Sequence, residues 1–203
     1  PAAKYIAVIS LVFSASVYLL IRWADTLIIG YFYGPVLAGI YDIANLLSLA
    51  LFLLPEAILY IFIPIMINLH KKKRKKDFER LLKTSIFYIF IISLIPALIM
   101  ILFSKLIIEI LLDPGYAEVA LPLAILSVGI FFRILFIPHS KAILVYGKSI
   151  YTFYINIIAT IFNIIFNIIF IPIYGIVGAA VVTSLSYFII GILSYVFYRR
   201  ISY

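Results

Sequence analysis

The sequence predicts an all-α integral membrane protein, a single bundle of six transmembrane helices. Hydrophobic residues make up 67% of the 203-residue chain and charged residues only 12%, whereas soluble domains contain about 45–50% and about 25%. The apolar residues form runs of about 20 or more, the length that an α-helix needs to cross a hydrocarbon core of about 30 Å. Glycine, proline or charged residues separate these runs, as expected of the turns between spanning helices.

The six predicted helices follow one another through short connections in one domain, residues 1–203. They are expected at residues 5–33, 36–68, 81–103, 119–145, 150–171 and 175–198. Gly34 and Pro35 mark the first turn, and Gly175 marks the last. A basic loop at residues 69–80 separates the second helix from the third, and residues 105–118 read as a partly exposed connection.

Orientation follows from the lysine and arginine residues in the loops. If six helices alternate, Lys105 alone falls on one side, and the other loop cations share the opposite side with both ends of the chain. Both ends are therefore predicted to be cytoplasmic, in the cell membrane. Six of the sixteen basic residues form the run Lys71–Lys76, which is either this topological signal alone or also a site for anionic lipids. Nucleic acid binding is not expected, because no aromatic or glycine pattern accompanies the charge.

Four charged or amide side chains lie in the stretch Arg22–Asn45, around the turn between the first two apolar runs. Arg22 and Asn45 are equally distant from the Gly34 turn, and so are Asp25 and Asp42. An antiparallel helix pair would therefore place each couple at one depth, roughly 13–18 Å from the turn. A charged side chain that deep in a bilayer costs about 2.5–3.5 kcal/mol. These residues are expected to face protein or water, and Arg22 with Asp25 is alternatively a neutralised structural pair.

Further polar residues recur at helical spacing in other runs. The fifth predicted helix carries a stripe formed by Asn156, Thr160, Asn163 and Asn167. Glu56 lies nearly on the face of Asp42 in the second, and Arg133 lies near the centre of the fourth, with no acid three or four residues away. We expect the polar faces to turn inward and line a cleft. Hydrogen bonding of the Asn and Thr stripe to a neighbouring helix is the alternative.

Four stretches resemble a known family. These are Ala24–Asn45 (ADTLIIGYFYGPVLAGIYDIAN), Gly115–Gly129 (GYAEVALPLAILSVG), Tyr146–Lys148 (YGK) and Tyr174–Ser186 (YGIVGAAVVTSLS). They are similar to the C-terminal half of polysaccharide biosynthesis flippases, lipid-linked oligosaccharide exporters of the multidrug/oligosaccharidyl-lipid/polysaccharide superfamily. The likeness covers nearly the whole chain, and its short glycine-based motifs identify the superfamily rather than the substrate.

The resemblance implies one half of a two-bundle transporter, whose bundles face each other across a cavity that opens alternately to either side. The chain would be the second bundle, and the N-terminal six-helix bundle of the same protein is missing, so the fragment alone is not expected to transport. Asp25 matches the family's acidic position ahead of Gly30. The family's turn glycines are matched by Gly34, Gly39, Gly175 and Gly178.

The function expected from the resemblance is flipping of a lipid-linked oligosaccharide or polysaccharide precursor across the cytoplasmic membrane. Arginine suits the phosphate of the carrier because its planar fork donates two hydrogen bonds. Paired acids at one depth suit coupling to an ion gradient. The substrate-binding candidates are Arg22, Arg133, Asn45, Asn156, Thr160 and Asn163, and the coupling candidates are Asp25, Asp42 and Glu56. No cofactor, metal or catalytic residue is expected.

Two other classes compete with this interpretation. A multidrug or cation antiporter of the same superfamily would use an acidic, aromatic cavity, which Asp25, Asp42 and Glu56 keep open and the two arginines oppose. A membrane glycosyltransferase would need an acidic or histidine constellation on an exposed loop. The acidic loop Glu109–Glu118 has no metal-ligand spacing, so the chain is not expected to be an enzyme.

Overall fold

The computed structural model describes residues 13, 17, 19, 23–112 and 114–202, and these are helical with no strand among them. The elements are α1 (residues 23–33 of the described part), α2 (Pro35–Leu49), α3 (Leu53–Lys71), α4 (Lys75–Leu102), α5 (Ser104–Leu111), α6 (Ala120–Val145) and α7 (Ser149–Ser202), with 3-10 turns at Ala50–Phe52 and Pro114–Val119. The all-α prediction is confirmed. Four stretches of this described part are long and apolar enough to cross a membrane: Pro35–Lys71, Lys75–Leu102, Gly115–Val145 and Ser149–Ser202.

The turn between α1 and α2 forms where the sequence places it. Gly34 adopts φ 85°, a conformation that glycine reaches without the steric cost of a side chain. Pro35 then occupies the first turn of α2, where its missing N–H removes no helical hydrogen bond. Beyond this turn the predicted second helix is not continuous, because the 3-10 turn Ala50–Phe52 separates α2 from α3.

The basic loop is shorter than the predicted residues 69–80. α3 continues to Lys71 and α4 begins at Lys75, so three residues connect them. The backbone N–H of Arg74 donates to the carbonyl of Leu69 at 3.0 Å, and its side chain pairs with Asp77 at 2.7 Å. The first turns of α4 are therefore an amphipathic helix. The third predicted helix begins later, at residue 81, because the prediction followed the apolar residues.

The 54-residue helix α7 folds back on itself at Gly175. A straight helix of that length would measure about 81 Å, and Gly175 interrupts it with φ 59° and ψ −142°. Asn163 Nδ2 donates to Thr183 Oγ1 at 3.1 Å, although these residues would be about 30 Å apart in a straight helix. Residues 149–174 and 176–202 therefore pack antiparallel, and we call them the first and second halves of α7.

The helix α6 packs at the centre of the bundle, against α7 above all. A Cβ built on Gly129 of α6 would lie 2.5 Å from the Cα of Ser184. The second half of α7 therefore packs so close to the backbone of α6 at Gly129 that a side chain there would clash. The outer surface remains apolar: Tyr31 is 83% exposed and Leu27 is 70% exposed. Exposed apolar faces of this kind are typical of helices that contact lipid.

Candidate functional site: the Asp25 cluster and the adjoining cavity

The one buried carboxylate among the described residues is that of Asp25 on α1, which is 1% exposed. Tyr41 of α2 donates its hydroxyl to Asp25 Oδ2 at 2.6 Å. Asn167, in the first half of α7, donates Nδ2 to Oδ1 at 2.6 Å, and the hydroxyl of Thr183, in the second half, donates to Oδ2. Three donors from three helical segments thus converge on one buried carboxylate. We call Asp25, Tyr41, Asn163, Asn167 and Thr183 the Asp25 cluster.

The two turns bring these residues to one depth. Asp25 and Tyr41 lie nine residues before and seven residues after Gly34. Asn167 and Thr183 each lie eight residues from Gly175. Residues at equal or nearly equal distances from a helical reversal lie at similar levels, because both helices rise about 1.5 Å per residue.

The arrangement compensates the negative charge of Asp25 within the bundle. Hydrogen bonds to a charged acceptor are worth about 1.5–3 kcal/mol each, and the bond from Asn163 orients the Thr183 hydroxyl toward the carboxylate. Asn163 and Asn167 keep amide oxygens that find no hydrogen-bond partner among the described residues. A buried carboxylate beside hydroxyl and amide oxygens has the chemistry to hold a proton or a small hard cation.

Asp42, at the matching depth on α2, lies in a different environment. It is half-buried and accepts a hydrogen bond from Thr26 Oγ1 of α1 at 3.0 Å. It also lines an open cavity of about 770 Å³ between α1, α2 and the 3-10 turn that precedes α6. The lining consists of Trp23, Pro35, Val36, Gly39, Ile40, Asp42, Ile43, Asn45, Leu46, Gly115 and Tyr116.

The other predicted site residues are spread over the bundle. Thr160 donates to the carbonyl of Asn156 at 2.7 Å and lies 3.3 Å from the carbonyl of Val17, so this part of the stripe is buried between helices rather than exposed in the cavity. Glu56 is exposed in the first turn of α3, and Arg133 is half-buried on α6 and does not line the cavity.

Arg22 lies outside the described residues, so its expected depth beside Asn45 stays a prediction. Three members of the Asp25 cluster were not among the binding or coupling candidates. Tyr41 and Thr183 were not singled out in the sequence, and Asn167 was recognised only as part of the polar stripe. The sequence does carry a signal for Thr183. Thr183 and Asn167 lie at equal distances from Gly175, just as Asp25 and Asp42 lie at matching distances from the Gly34 turn.

Comparison with known proteins places this geometry in context. The model of the MatE family matches residues 10–169. The chain is 26% identical over 197 residues to the capsular polysaccharide biosynthesis protein CapF of Staphylococcus aureus, covering 97% of this chain and 50% of CapF. It is 29% identical over 167 residues to the probable flippase AglR of Haloferax volcanii, covering 81% of this chain and 35% of AglR.

A third relative is an uncharacterized membrane protein of Methanocaldococcus jannaschii, 30% identical over 191 residues, covering 91% of this chain and 43% of the relative. The chain therefore spans half or less of the length of the relatives described here. No solved structure matches it.

Proposed function

The chain belongs to the MatE family of membrane transporters, within the multidrug/oligosaccharidyl-lipid/polysaccharide superfamily, and on this basis we propose that it is one half of a flippase for a lipid-linked oligosaccharide or polysaccharide precursor. The observation on which this rests is the match of 97% of the chain to CapF, whose name assigns it to capsular polysaccharide biosynthesis. The name of AglR, a probable flippase, supports the proposed activity.

The proposed architecture has six membrane crossings in this chain. They are α1, α2 with α3, α4, α6 and the two halves of α7, which reverse at Gly175. The chain spans half of CapF, which supports a second bundle, N-terminal in the same protein, facing this one across a central cavity. The bundle would lie in the cytoplasmic membrane, with both ends of the chain on the cytoplasmic side.

The proposed substrate path begins at the cavity lined by Asp42 and Asn45. Arg22 and Arg133 would bind the phosphate of the lipid carrier, and Asn45 would bind the sugar. Asn156, Thr160 and Asn163 are buried against neighbouring segments here. They would therefore reach sugar hydroxyls only after the neighbouring segments of this bundle move apart.

Coupling to an ion gradient is proposed at Asp25, with Asp42 and Glu56 as the further candidates. Burial and three donors hold the Asp25 carboxylate between α1, α2 and both halves of α7. Uptake of a proton or a cation would change which of these hydrogen bonds are favourable, and so would alter how tightly the helices pack. Transport by the Asp25→Asn variant should then lose its dependence on the ion gradient.

The flippase proposal is tested through Arg133 in the full-length protein, reconstituted into vesicles that contain lipid-linked oligosaccharide. Arg133→Lys keeps the charge but loses the fork, so flipping should fall, and Arg133→Ala should abolish it. Arg200→Ala, which removes an exposed arginine at the end of α7, is the control and should flip normally. Wild-type flipping by folded Arg133→Ala protein would remove this residue from the mechanism.

A cation antiporter of the same superfamily is the second candidate. The observation that favours it is the cavity lining, where Trp23 and Tyr116 accompany the carboxylate of Asp42, because aromatic faces and an acid attract organic cations. The same vesicles distinguish the two. Uptake of an organic cation such as ethidium, without oligosaccharide flipping, would establish the antiporter.

The proposed orientation has a direct test, since the chain contains no cysteine. Single cysteines replacing Lys73 or Lys148, in otherwise cysteine-free full-length protein, should resist a membrane-impermeant thiol reagent added to intact cells, whereas a cysteine replacing Glu118 should react. Labelling at position 73 from outside would reverse the orientation.

A further inference from the structure

The helix α4 has two unlike faces. Its inward face consists of buried side chains, which are Phe78, Leu82, Ser85, Ile89, Ser93 and Ala97. Its opposite face begins with three exposed cations, Lys76, Arg80 and Lys83, at spacings of four and three residues. Spacings of three and four place side chains on one side of a helix, so the three cations lie above one another over two turns.

The same face continues with large apolar side chains. Phe87 and Phe90 follow Lys83 at spacings of four and three, and Leu98 lies eight residues, about two turns, beyond Phe90; they are 59%, 40% and 44% exposed. From Lys83 to Leu102, the end of α4, the helix rises about 28 Å, close to the thickness of a hydrocarbon core of about 30 Å. The three cations therefore lie at the level of the lipid head groups, and the apolar residues lie at the level of the acyl chains.

The neighbouring acids do not neutralise these cations. Asp77 is occupied by Arg74 at 2.7 Å, and Glu79 accepts the hydroxyl of Tyr198 at 2.9 Å. Within the described part of the chain, no carboxylate lies within ion-pairing distance of Lys76, Arg80 or Lys83. Fixed positive charge without a counter-charge attracts anions at a membrane surface.

A cavity of about 630 Å³ lies at this position. Lys75, Lys76, Glu79, Arg80, Lys83 and Thr84 line it. It therefore presents four cationic side chains and one hydroxyl, together with one carboxylate, that of Glu79, which accepts the hydroxyl of Tyr198. Lys75 also borders a second cavity of about 260 Å³, whose wall includes His70, Phe78 and Tyr146. The cationic surface therefore carries an open depression that a head group can contact.

We propose that this face of α4 binds an anionic phospholipid, with its phosphate held by Lys76, Arg80 and Lys83 and its acyl chains lying along Phe87, Phe90 and Leu98. Charge complementarity selects the anionic head group, and the continuous apolar stripe selects a lipid over a free phosphate. This binding does not depend on which substrate the protein moves.

The test uses full-length protein with its tryptophans replaced by phenylalanine, including Trp23, the single tryptophan of this chain. A reporter is introduced as Phe87→Trp, and the protein is reconstituted into phosphatidylcholine vesicles that contain a minor fraction of brominated lipid. Brominated phosphatidylglycerol should quench this tryptophan far more than brominated phosphatidylcholine does, with an enrichment on the order of tenfold over the bulk lipid fraction.

A reporter on another helix, toward the same end of the bundle, serves as a control. Tyr154 is exposed in the first half of α7, near the Lys148 turn. The ring contact of Tyr146 with His70 at 4.5 Å places that turn at the same end of the bundle as the start of α4. The two brominated lipids should quench a Tyr154→Trp reporter about equally.

Two charge-matched triple variants complete the experiment. The preference at position 87 should disappear with Lys76→Gln, Arg80→Gln and Lys83→Gln, and should persist with Lys71→Gln, Lys72→Gln and Lys148→Gln, which remove the same charge elsewhere at this end of the bundle. Equal losses in both triples would mean general surface attraction and would overturn the site. So would equal preference at positions 87 and 154, or a tryptophan at position 87 that neither lipid reaches.

Discussion

Asp25 and Asp42 occupy matching depths on adjacent helices, yet one is sealed inside the bundle and the other borders a cavity. Asp25 accepts hydrogen bonds from Tyr41, Asn167 and Thr183. Asp42 accepts one from Thr26 and lies beside open space. Depth in the membrane is set by distance from the turn, but the environment of a carboxylate is set by which face of its helix meets another helix.

The same contrast divides the bundle as a whole. On the sealed side, α1, α2 and α7 pack closely enough for side-chain hydrogen bonds between them. On the open side, α2 and the turn before α6 leave about 770 Å³ between them. This division places the carboxylate that we propose for ion coupling, Asp25, beside the cavity that we propose as the start of the substrate path.

The largest expected effect separates the two acids directly. Asp25→Leu leaves three buried donors without an acceptor, each costing about 1–3 kcal/mol, so unfolding should become easier by about 4 kcal/mol or more. Asp42→Leu strands one half-buried donor and should cost about 1 kcal/mol or less. SDS titration of the purified full-length variants measures both. Equal losses would show that the two carboxylates have equivalent environments after all.

Asp25→Asn is the companion variant in case the leucine variant does not accumulate. It keeps the shape of the side chain and an acceptor oxygen for Asn167, so its loss of stability should be smaller than that of Asp25→Leu. If the asparagine and leucine variants unfolded at the same SDS fraction, the hydrogen bonds of the cluster would not be the source of its stability.

Two glycines provide the next comparison, between a packed face and an open one. Gly129→Ala would place a Cβ 2.5 Å from the backbone of Ser184 and should cost about 1–3 kcal/mol, because the two helices must separate. Gly39→Ala meets no atom within 4 Å of its Cβ and should stabilise α2 by about 0.5–1 kcal/mol. Both effects are measured as shifts of the thermal unfolding midpoint in detergent, and the same sign for both would contradict the comparison.

The last comparison removes one donor from each acid. Tyr41→Phe deletes a hydroxyl that donates to buried Asp25 at 2.6 Å and should cost about 1.5–3 kcal/mol. Thr26→Val deletes the donor to half-buried Asp42 at 3.0 Å and should cost about 0.5 kcal/mol, because water replaces it. The same thermal assay applies, and a greater loss for Thr26→Val would reverse the assignment of the sealed and open sides.

Much of the architecture could be predicted from the sequence, since each feature depends on local chemistry. Apolar runs of spanning length indicate membrane helices without any contact information. Gly34 and Gly175 mark their turns through backbone conformations that favour glycine. The depth of Asp25 and Asp42 then follows from counting residues, and the resemblance that identified the superfamily rests on the same glycine-centred stretches.

Only the tertiary structure decided which polar residues meet. Asn163 and Asn167 form one stripe with Asn156 and Thr160, and helical periodicity treats the four alike. Their environments differ because Asn163 meets Thr183 of the second half of α7, and Asn167 meets Asp25 of α1, which also accepts from Thr183. Counting residues fixes the height of a side chain along its helix, whereas the rotation of the helix and the choice of its neighbours depend on packing of the whole bundle.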